Sequence, residues 1–452
     1  MVQGPVLYLI LLLGVGFIVL ATTKFKLHPF LSLLLAAFGV GITAGVPLPE
    51  VTKAVNEGFG GLMSYIGIVI VAGTVIGKIL EKSGAALRMA EVVLKTVGEK
   101  RPQLAMSLIG AIVSIPVFCD SAYVILSSLR KSLAHRTNVS SASMSIALAT
   151  GLYATHTLVP PTPGPIAAAG NLGASNYLGT VIIIGLLVAI PTTLAGYFWA
   201  TKVAASTSTQ EETNLNAPQA NLPEHFGPLP STAKAFTPIF LPIVLIGLGS
   251  VISYMQWQNE FSEVLLFIGS PVVALLIGVL ASFALFPKWN EETLTGWVGE
   301  GLKDSAIILL LTGAGGAFGA VIKATPISET IQGMASGGSL PGAFILFAPF
   351  LIAAALKTAQ GSSTAAIVIT SALVAPTLAQ AGVDGAVPLA LVVMAIGAGA
   401  MAVSHVNDSY FWVVTQFSGI RVADAYRAHT MATLLQGITA FGCTLLLWFL
   451  LV

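Results

Sequence analysis

Four polar clusters carry the groups in this chain that could do chemistry. They are Phe118-Cys119-Asp120-Ser121-Ala122-Tyr123; Thr155-His156-Thr157 with the following Pro160-Pro161-Thr162-Pro163-Gly164-Pro165; Lys357-Thr358-Ala359-Gln360-Gly361-Ser362-Ser363-Thr364; and Ser404-His405-Val406-Asn407-Asp408-Ser409-Tyr410. Each interrupts a long apolar run. Asp120, His156, His405 and Asp408 are groups that could carry a proton. Ser121, Thr157, Ser362, Ser363, Thr364 and Asn407 supply hydroxyls and an amide suited to a hydroxylated ligand. Lys357 and the backbone amides at helix N-termini could hold a carboxylate. Bland readings stand beside these. Either Asp could be a structural partner of a lysine or a backbone amide. Either His could bridge helices by hydrogen bonds. Lys357 could snorkel or pair with an aspartate rather than meet a substrate. Pro160 to Pro165 is first a helix breaker. Gly313, Gly315, Gly316 and Gly319 mimic a dinucleotide fingerprint, but no strand–helix context surrounds them, so close helix packing is the better reading.

The elements that must position these clusters are membrane helices. Of the 452 residues 9% are charged and 55% hydrophobic, against roughly 25% charged in a soluble domain. A water-facing surface or a disordered chain is excluded on that ground. The net charge of +1 gives no reason to expect a nucleic-acid partner. Cys119 and Cys443 sit in apolar runs and imply neither a disulfide framework nor a metal site. The N-terminal apolar run lacks a basic flank and has spanning length, so it reads as a first transmembrane helix rather than a signal peptide.

Apolar stretches of spanning length are expected at 5–22, 29–46, 60–79, 141–158, 177–200, 236–255, 263–286, 305–322, 385–403 and 428–451. Two longer stretches, 104–129 and 342–380, are broken in the middle. Basic loops stay cytoplasmic, and both ends of 104–129 are basic, so this stretch reads as a re-entrant hairpin with its tip near Pro116–Ser121. Both ends of 342–380 lack Lys and Arg, so it reads as a hairpin entering from outside, with its tip near Gln360–Thr364. This arrangement makes 17 of the 20 basic residues cytoplasmic, all but Lys53, Lys323 and Lys357. Both termini are then periplasmic.

Each half therefore holds five crossings and one hairpin: 1–200 as the N-terminal repeat, 201–235 as a polar cytoplasmic linker, and 236–452 as the C-terminal repeat. An odd number of crossings inverts the second half. Weak internal similarity agrees. Asn56-Glu57-Gly58 resembles Gly299-Glu300-Gly301. Cys119-Asp120-Ser121 falls opposite Gly361-Ser362-Ser363, and Thr155-His156 opposite Ser404-His405. The fold class expected is an all-α polytopic membrane protein built from two inverted repeats, with discontinuous helices at the midplane, the signature of a secondary transporter.

At these clusters the sequence resembles the gluconate permease family of the ion-transporter superfamily. The resemblance lies in Val159-Pro160-Pro161-Thr162-Pro163-Gly164-Pro165 with Ala167-Ala168-Ala169-Gly170, in Ser404-His405-Val406-Asn407-Asp408 ending in Phe411-Trp412, in Lys24-Phe25-Lys26-Leu27-His28-Pro29-Phe30, and in Ala359-Gln360-Gly361-Ser362-Ser363-Thr364. It implies proton-linked uptake of aldonates and small hydroxy acids, and a scaffold domain with a moving transport domain, often in a homodimer. Thr162 stands where many members carry a histidine, and the first tip also departs from the gluconate carriers. A smaller acid such as glycerate, or D-serine, therefore remains open.

The function expected is proton-coupled symport of gluconate or a related small hydroxylated monocarboxylate across a bacterial inner membrane. No cofactor or metal is required; the partners are the organic anion, the proton and membrane lipid. A cation/proton antiporter would need a carboxylate-rich ion site, whereas hydroxyls here outnumber carboxylates. An intramembrane Ser/His hydrolase is disfavoured, because duplicated tips make no sense for a single nucleophile.

Overall fold

The computed structural model describes the chain apart from residues 3–4, 99, 210–227, 256–259, 327–344, 381–382 and 406–407. The described residues are almost entirely helical. In the first half the helices are α1 (Pro5–Thr23), α2 (Pro29–Thr43), α3 (Leu48–Lys82), α4 (Ala85–Val97), α5 (Pro102–Val113), α6 (Cys119–Thr137), α7 (Ser141–Leu158), α8 (Pro163–Asn171) and α9 (Leu178–Lys202). The second half has α10 (Thr232–Met255), α11 (Glu260–Gly269), α12 (Pro271–Ser282), α13 (Val298–Lys323), α14 (Phe347–Gln360), α15 (Ser363–Gln380), α16 (Ala386–Met401), α17 (Ser409–Ser418) and α18 (Met431–Leu451). Four helical stretches among the described residues are long and apolar enough to cross a membrane, five if the bent pair α11–α12 is taken as one span.

Local chemistry sets the breaks. Proline opens α2, α5, α8 and α12, where its missing N–H costs no helical bond. The expected single crossing at 263–286 is instead bent by 66° at Ser270–Pro271, because Pro271 cannot donate back into α11. The basic stretch after α3 is not a plain loop. Residues Ala85–Val97 form an amphipathic helix that buries Leu87, Met89 and Val93 and keeps Arg88, Glu91 and Lys95 on its other faces. The expected polar linker begins after α9, and most of it lies outside the described residues, as do residues 332–341 flanking the second hairpin.

Apolar side chains face outward as well as inward. All of α7 and α16 from Leu389 to Met401 are buried. Large apolar side chains such as Leu12, Leu13, Leu280, Phe449 and Leu450 are exposed on outer helices, where hydrocarbon would surround them. Backbone contact, rather than an apolar driving force, brings the inner helices together. α5 and α7 cross so closely that a Cβ on Gly110 would lie 2.6 Å from the Leu152 amide nitrogen, and one on Gly151 would strike the Ser107 carbonyl.

Among the described residues each half has two outer segments, a long helix, two helices joined by a short turn, a broken helix and a closing helix, and the first half adds α4 after its long helix. α3 and α13 pack against each other with reciprocal contacts. Gly58 of α3 meets Gly316 and Ala320 of α13, while Gly301 of α13 meets Val75 of α3. Lys78 pairs with Asp304 at 2.9 Å and Lys82 with Glu300 at 2.9 Å along the same seam. α7 packs on α5 and α9; α16 packs on α14 and α18 in the corresponding way.

Candidate functional site

Four breaks converge in the interior. The first hairpin stretch turns between Val113 and Cys119, and the second between Gln360 and Ser363. α7 stops at Leu158 and resumes as α8 at Pro163; α16 stops at Met401 and resumes as α17 at Ser409. The turn at Pro160-Pro161 contains a cis peptide bond. Gly361 adopts φ +85° at the second tip, a left-handed conformation that a side chain would strain. α8 packs on α15, and α17 on α6, so each broken helix meets a helix of the other half. Cross-links between breaks are specific. The Phe118 and His156 rings lie tilted to each other with centroids 6.0 Å apart. Ser409 Oγ donates to Asp120 Oδ1 at 3.5 Å. His405 Nε2 lies 2.8 Å from the Thr358 carbonyl.

At the centre Lys357 forms an ion pair with Asp408. Lys357 is completely buried and Asp408 is 3% exposed. The Lys357 ammonium also donates to the Gly361 carbonyl at 2.8 Å and lies 5.6 Å from the centroid of the Tyr153 ring. Asp408 caps α17: its Oδ1 accepts from the Tyr410 amide at 3.1 Å. Its Oδ2 accepts from Ser404 Oγ. Ser404 is in turn held by Thr430 Oγ1, which donates to its carbonyl at 2.6 Å, and by Thr433 Oγ1, which accepts from its amide at 3.0 Å. His429 Nε2 lies 3.1 Å from Ser404 Oγ. On the other side Tyr153 Oη and Ser363 Oγ share a 2.6 Å hydrogen bond, and Tyr410 Oη donates to the Ala149 carbonyl at 2.8 Å. A hydroxyl-lined, buried ion pair at the junction of four helix ends can exchange a proton and can bind an anion through its cation.

The residues singled out in the sequence fall unevenly around this pair. Lys357, Ser363 and Asp408 are in it, the lysine paired with an aspartate. Asp120 and Ser121 lie in the first turn of α6, with Asp120 reaching α17 through Ser409. Ser362 is exposed and accepts from the Ala365 amide at 3.2 Å; Thr364 follows it, half-buried. Thr157 is buried, but its hydroxyl donates to the Tyr153 carbonyl of its own helix at 3.2 Å. His156 is buried in the last turn of α7, with no hydrogen-bond partner for Nδ1 among the described residues. Asn407 lies outside the described residues. The two histidines do not occupy matching places, as their spacing suggested: His156 is still helical, whereas His405 lies beyond the end of α16. Cys119 opens α6 and Ser363 opens α15, whereas the sequence set Cys119 opposite Gly361. Tyr153 and His429 are not marked in the sequence. They lie within helical runs, away from any break, and only their contacts reveal them.

A profile of the GntP family permeases matches residues 6–451. The D-serine transporter DsdX of Escherichia coli K12 is 33% identical, covering 98% of this chain and 98% of its own length. A gluconate permease of Pseudomonas aeruginosa is 32% identical, covering 93% of each chain. Among solved structures, the YdaH transporter of Alcanivorax borkumensis superposes with a TM-score of 0.64 at 15% identity, over 93% of this chain and 96% of that one. At that identity the likeness is one of fold.

Proposed function

This chain belongs to the GntP permease family, and from that premise we propose that it is a proton-coupled symporter of a small hydroxylated monocarboxylate, gluconate or a relative such as glycerate, in a bacterial inner membrane. The observation that carries this reading is the buried Lys357–Asp408 pair at the meeting of four helix breaks. A cation at that depth needs an anion, and helix N-termini around it favour one. Lys357 and the tip amides hold the substrate carboxylate. Ser121, Ser362, Ser363, Thr364, Thr157 and Asn407 are the candidates for its hydroxyls. Asp408, with Asp120, His156 and His405 as alternatives, carries the proton.

The architecture proposed is two inverted repeats, 1–200 and 236–452, each with a re-entrant hairpin, joined by a cytoplasmic linker, with both termini periplasmic. The repeated element order and the reciprocal α3–α13 contacts support the repeats. A homodimer follows from the superfamily resemblance. A D-serine permease is the second reading, favoured by the likeness to DsdX. An uptake panel in proteoliposomes with gluconate, glycerate, fructuronate and D-serine, with and without a proton gradient, tests both. Accumulation of a hydroxy acid only under the gradient is the expected result. Accumulation of D-serine alone would move the substrate to the second reading, and gradient-independent accumulation would remove proton coupling.

A further inference from the structure

We propose that Asp408 is the carrier's own stand-in for the substrate carboxylate, so that binding exchanges one carboxylate for another on Lys357 and the displaced Asp408 takes up a proton. The inference rests on reading the site as that of a carboxylate carrier, and it adds the reason why substrate and proton move together.

The geometry leaves Lys357 little freedom. Its ammonium is fully buried, faces the Tyr153 ring, and is shared between Asp408 and the Gly361 carbonyl. The carbonyl belongs to the backbone of the tip and carries only a partial charge. Asp408 is therefore the full anion that an incoming carboxylate must displace. Once displaced, Asp408 keeps a place ready for its neutral form. Its Oδ1 still caps α17 through the Tyr410 amide. Ser404 Oγ, which donates to the ionised carboxylate, accepts a hydrogen bond from the protonated one, since a hydroxyl does either.

Charge balance then gives the coupling. Lys357 with ionised Asp408 sums to zero. Lys357 with a substrate carboxylate and a protonated Asp408 also sums to zero. Substrate without the proton leaves one net negative charge, and the proton without substrate leaves one net positive charge. A lone charge at membrane depth reduces the population able to reorient by about a hundredfold or more. Only the empty and the doubly loaded carriers then cross, which is symport of a single proton per anion.

Other titratable groups surround Asp408. Asp120 and Cys119 face it from α6, Tyr153 and His156 from α7, and His429 from the turn before α18. His405 lies on its own break, and Tyr410 follows it on α17. Asp408 is distinguished from them because, among the described residues, it alone pairs its charge with Lys357. Asp120 makes side-chain hydrogen bonds with the hydroxyl of Ser409 and the thiol of Cys119 and feels the Lys357 charge without an ion pair to it among the described residues.

The test is calorimetric titration of the purified full-length carrier with gluconate, and with glycerate and D-serine in parallel, in buffers of different ionisation enthalpy and at acidic and alkaline pH. The wild type should take up one proton per carboxylate bound, with affinity rising as pH falls. Asp408→Asn removes the competing anion. It should bind the same ligand about tenfold more tightly at alkaline pH, take up no proton, and show no pH dependence. In proteoliposomes it should retain exchange and lose accumulation, because its empty form is charged. Weaker binding by the Asn variant, or proton uptake that persists in it, would overturn the proposal; so would loss of proton uptake in Asp120→Asn with Asp408→Asn unchanged. A wild type that binds none of the carboxylates would overturn the carboxylate-carrier reading and this inference with it. Should Asp408→Asn fail to fold, Lys357→Gln with Asp408→Asn restores neutrality. That pair should bind weakly and without proton uptake, and wild-type affinity or proton uptake in it would sink the exchange.

Discussion

Tyr153 and Ser363 illustrate how much rests on single hydroxyls at this depth. Their 2.6 Å hydrogen bond joins the buried helix α7 to the N-terminus of α15, and there is no water in hydrocarbon to replace a lost partner. Tyr153→Phe leaves the ring beneath Lys357 but removes the bond, which is worth about 1 kcal/mol. The expected outcome is a folded carrier with apparent substrate affinity reduced by about fivefold, measured by uptake kinetics; unchanged affinity would remove the Tyr153–Ser363 link from the binding site. The ion pair itself is a second residue-scale case. Lys357→Met alone strands a buried Asp408, and breaking a buried pair costs about 3–5 kcal/mol. Combining it with Asp408→Asn should recover much of that loss, so a double-mutant cycle of thermal stability should show strong coupling. Additive losses would mean that the two charges are not partners. Val403 is a third case. A β-branched residue at φ +56° is strained, and it sits immediately before Ser404, the residue that fixes Asp408.

At the scale of elements, the helices around the breaks are held by backbone proximity. Gly151→Val would place a side chain against the Ser107 carbonyl and push α5 off α7. Overpacking of this kind costs about 3 kcal/mol, and expression and melting temperature should both fall sharply; a normally stable Gly151→Val would show that α5 and α7 are not in this contact. The hairpins make a topological prediction. With Cys119 and Cys443 replaced, single cysteines at 118–123 should react with impermeant thiol reagents from the cytoplasm, and cysteines at 360–364 from outside, in opposite states of the cycle. Labelling of one tip from both faces in a single locked state contradicts inverted hairpins.

For the whole molecule, the proposed proton-coupled symport predicts how transport responds to the ion gradients across the membrane, and the α3–α13 seam lies apart from the site that would carry it. Its Lys78–Asp304 and Lys82–Glu300 pairs lie on one end of the seam, whereas the site chemistry lies at the breaks. Uptake should follow the proton gradient, collapse with an uncoupler, and change little when sodium is replaced. Strict sodium dependence would instead place Asp120 and Asp408 in a cation site. This measurement belongs to the whole molecule because coupling is a property of which charged states can reorient, not of any one contact.

The amino-acid sequence by itself determined the helical, membrane-facing character of the chain, because 9% charge cannot cover a water-exposed surface of this size. It also placed the breaks: Pro160 to Pro165, Gly361 and the polar run from Ser404 cannot continue an apolar helix, and the structure breaks there. Lys357, Ser363 and Asp408 stood out because charge and hydroxyl in an apolar run are rare. What the sequence left open, tertiary structure decided. Lys357 and Asp408 are 51 positions apart in the chain, and no periodicity joins them. Only the packing of α14 against α16 and the turn at Gly361 brings one onto the other. Tyr153 and His429 are invisible beforehand for a related reason. A polar tip on a largely apolar residue fits any buried helix, and its role depends on which neighbour the fold sets opposite it. The bend at Ser270–Pro271 and the unequal places of His156 and His405 show the same limit: hydropathy counts residues along one axis, while direction and contact are fixed by packing in three dimensions.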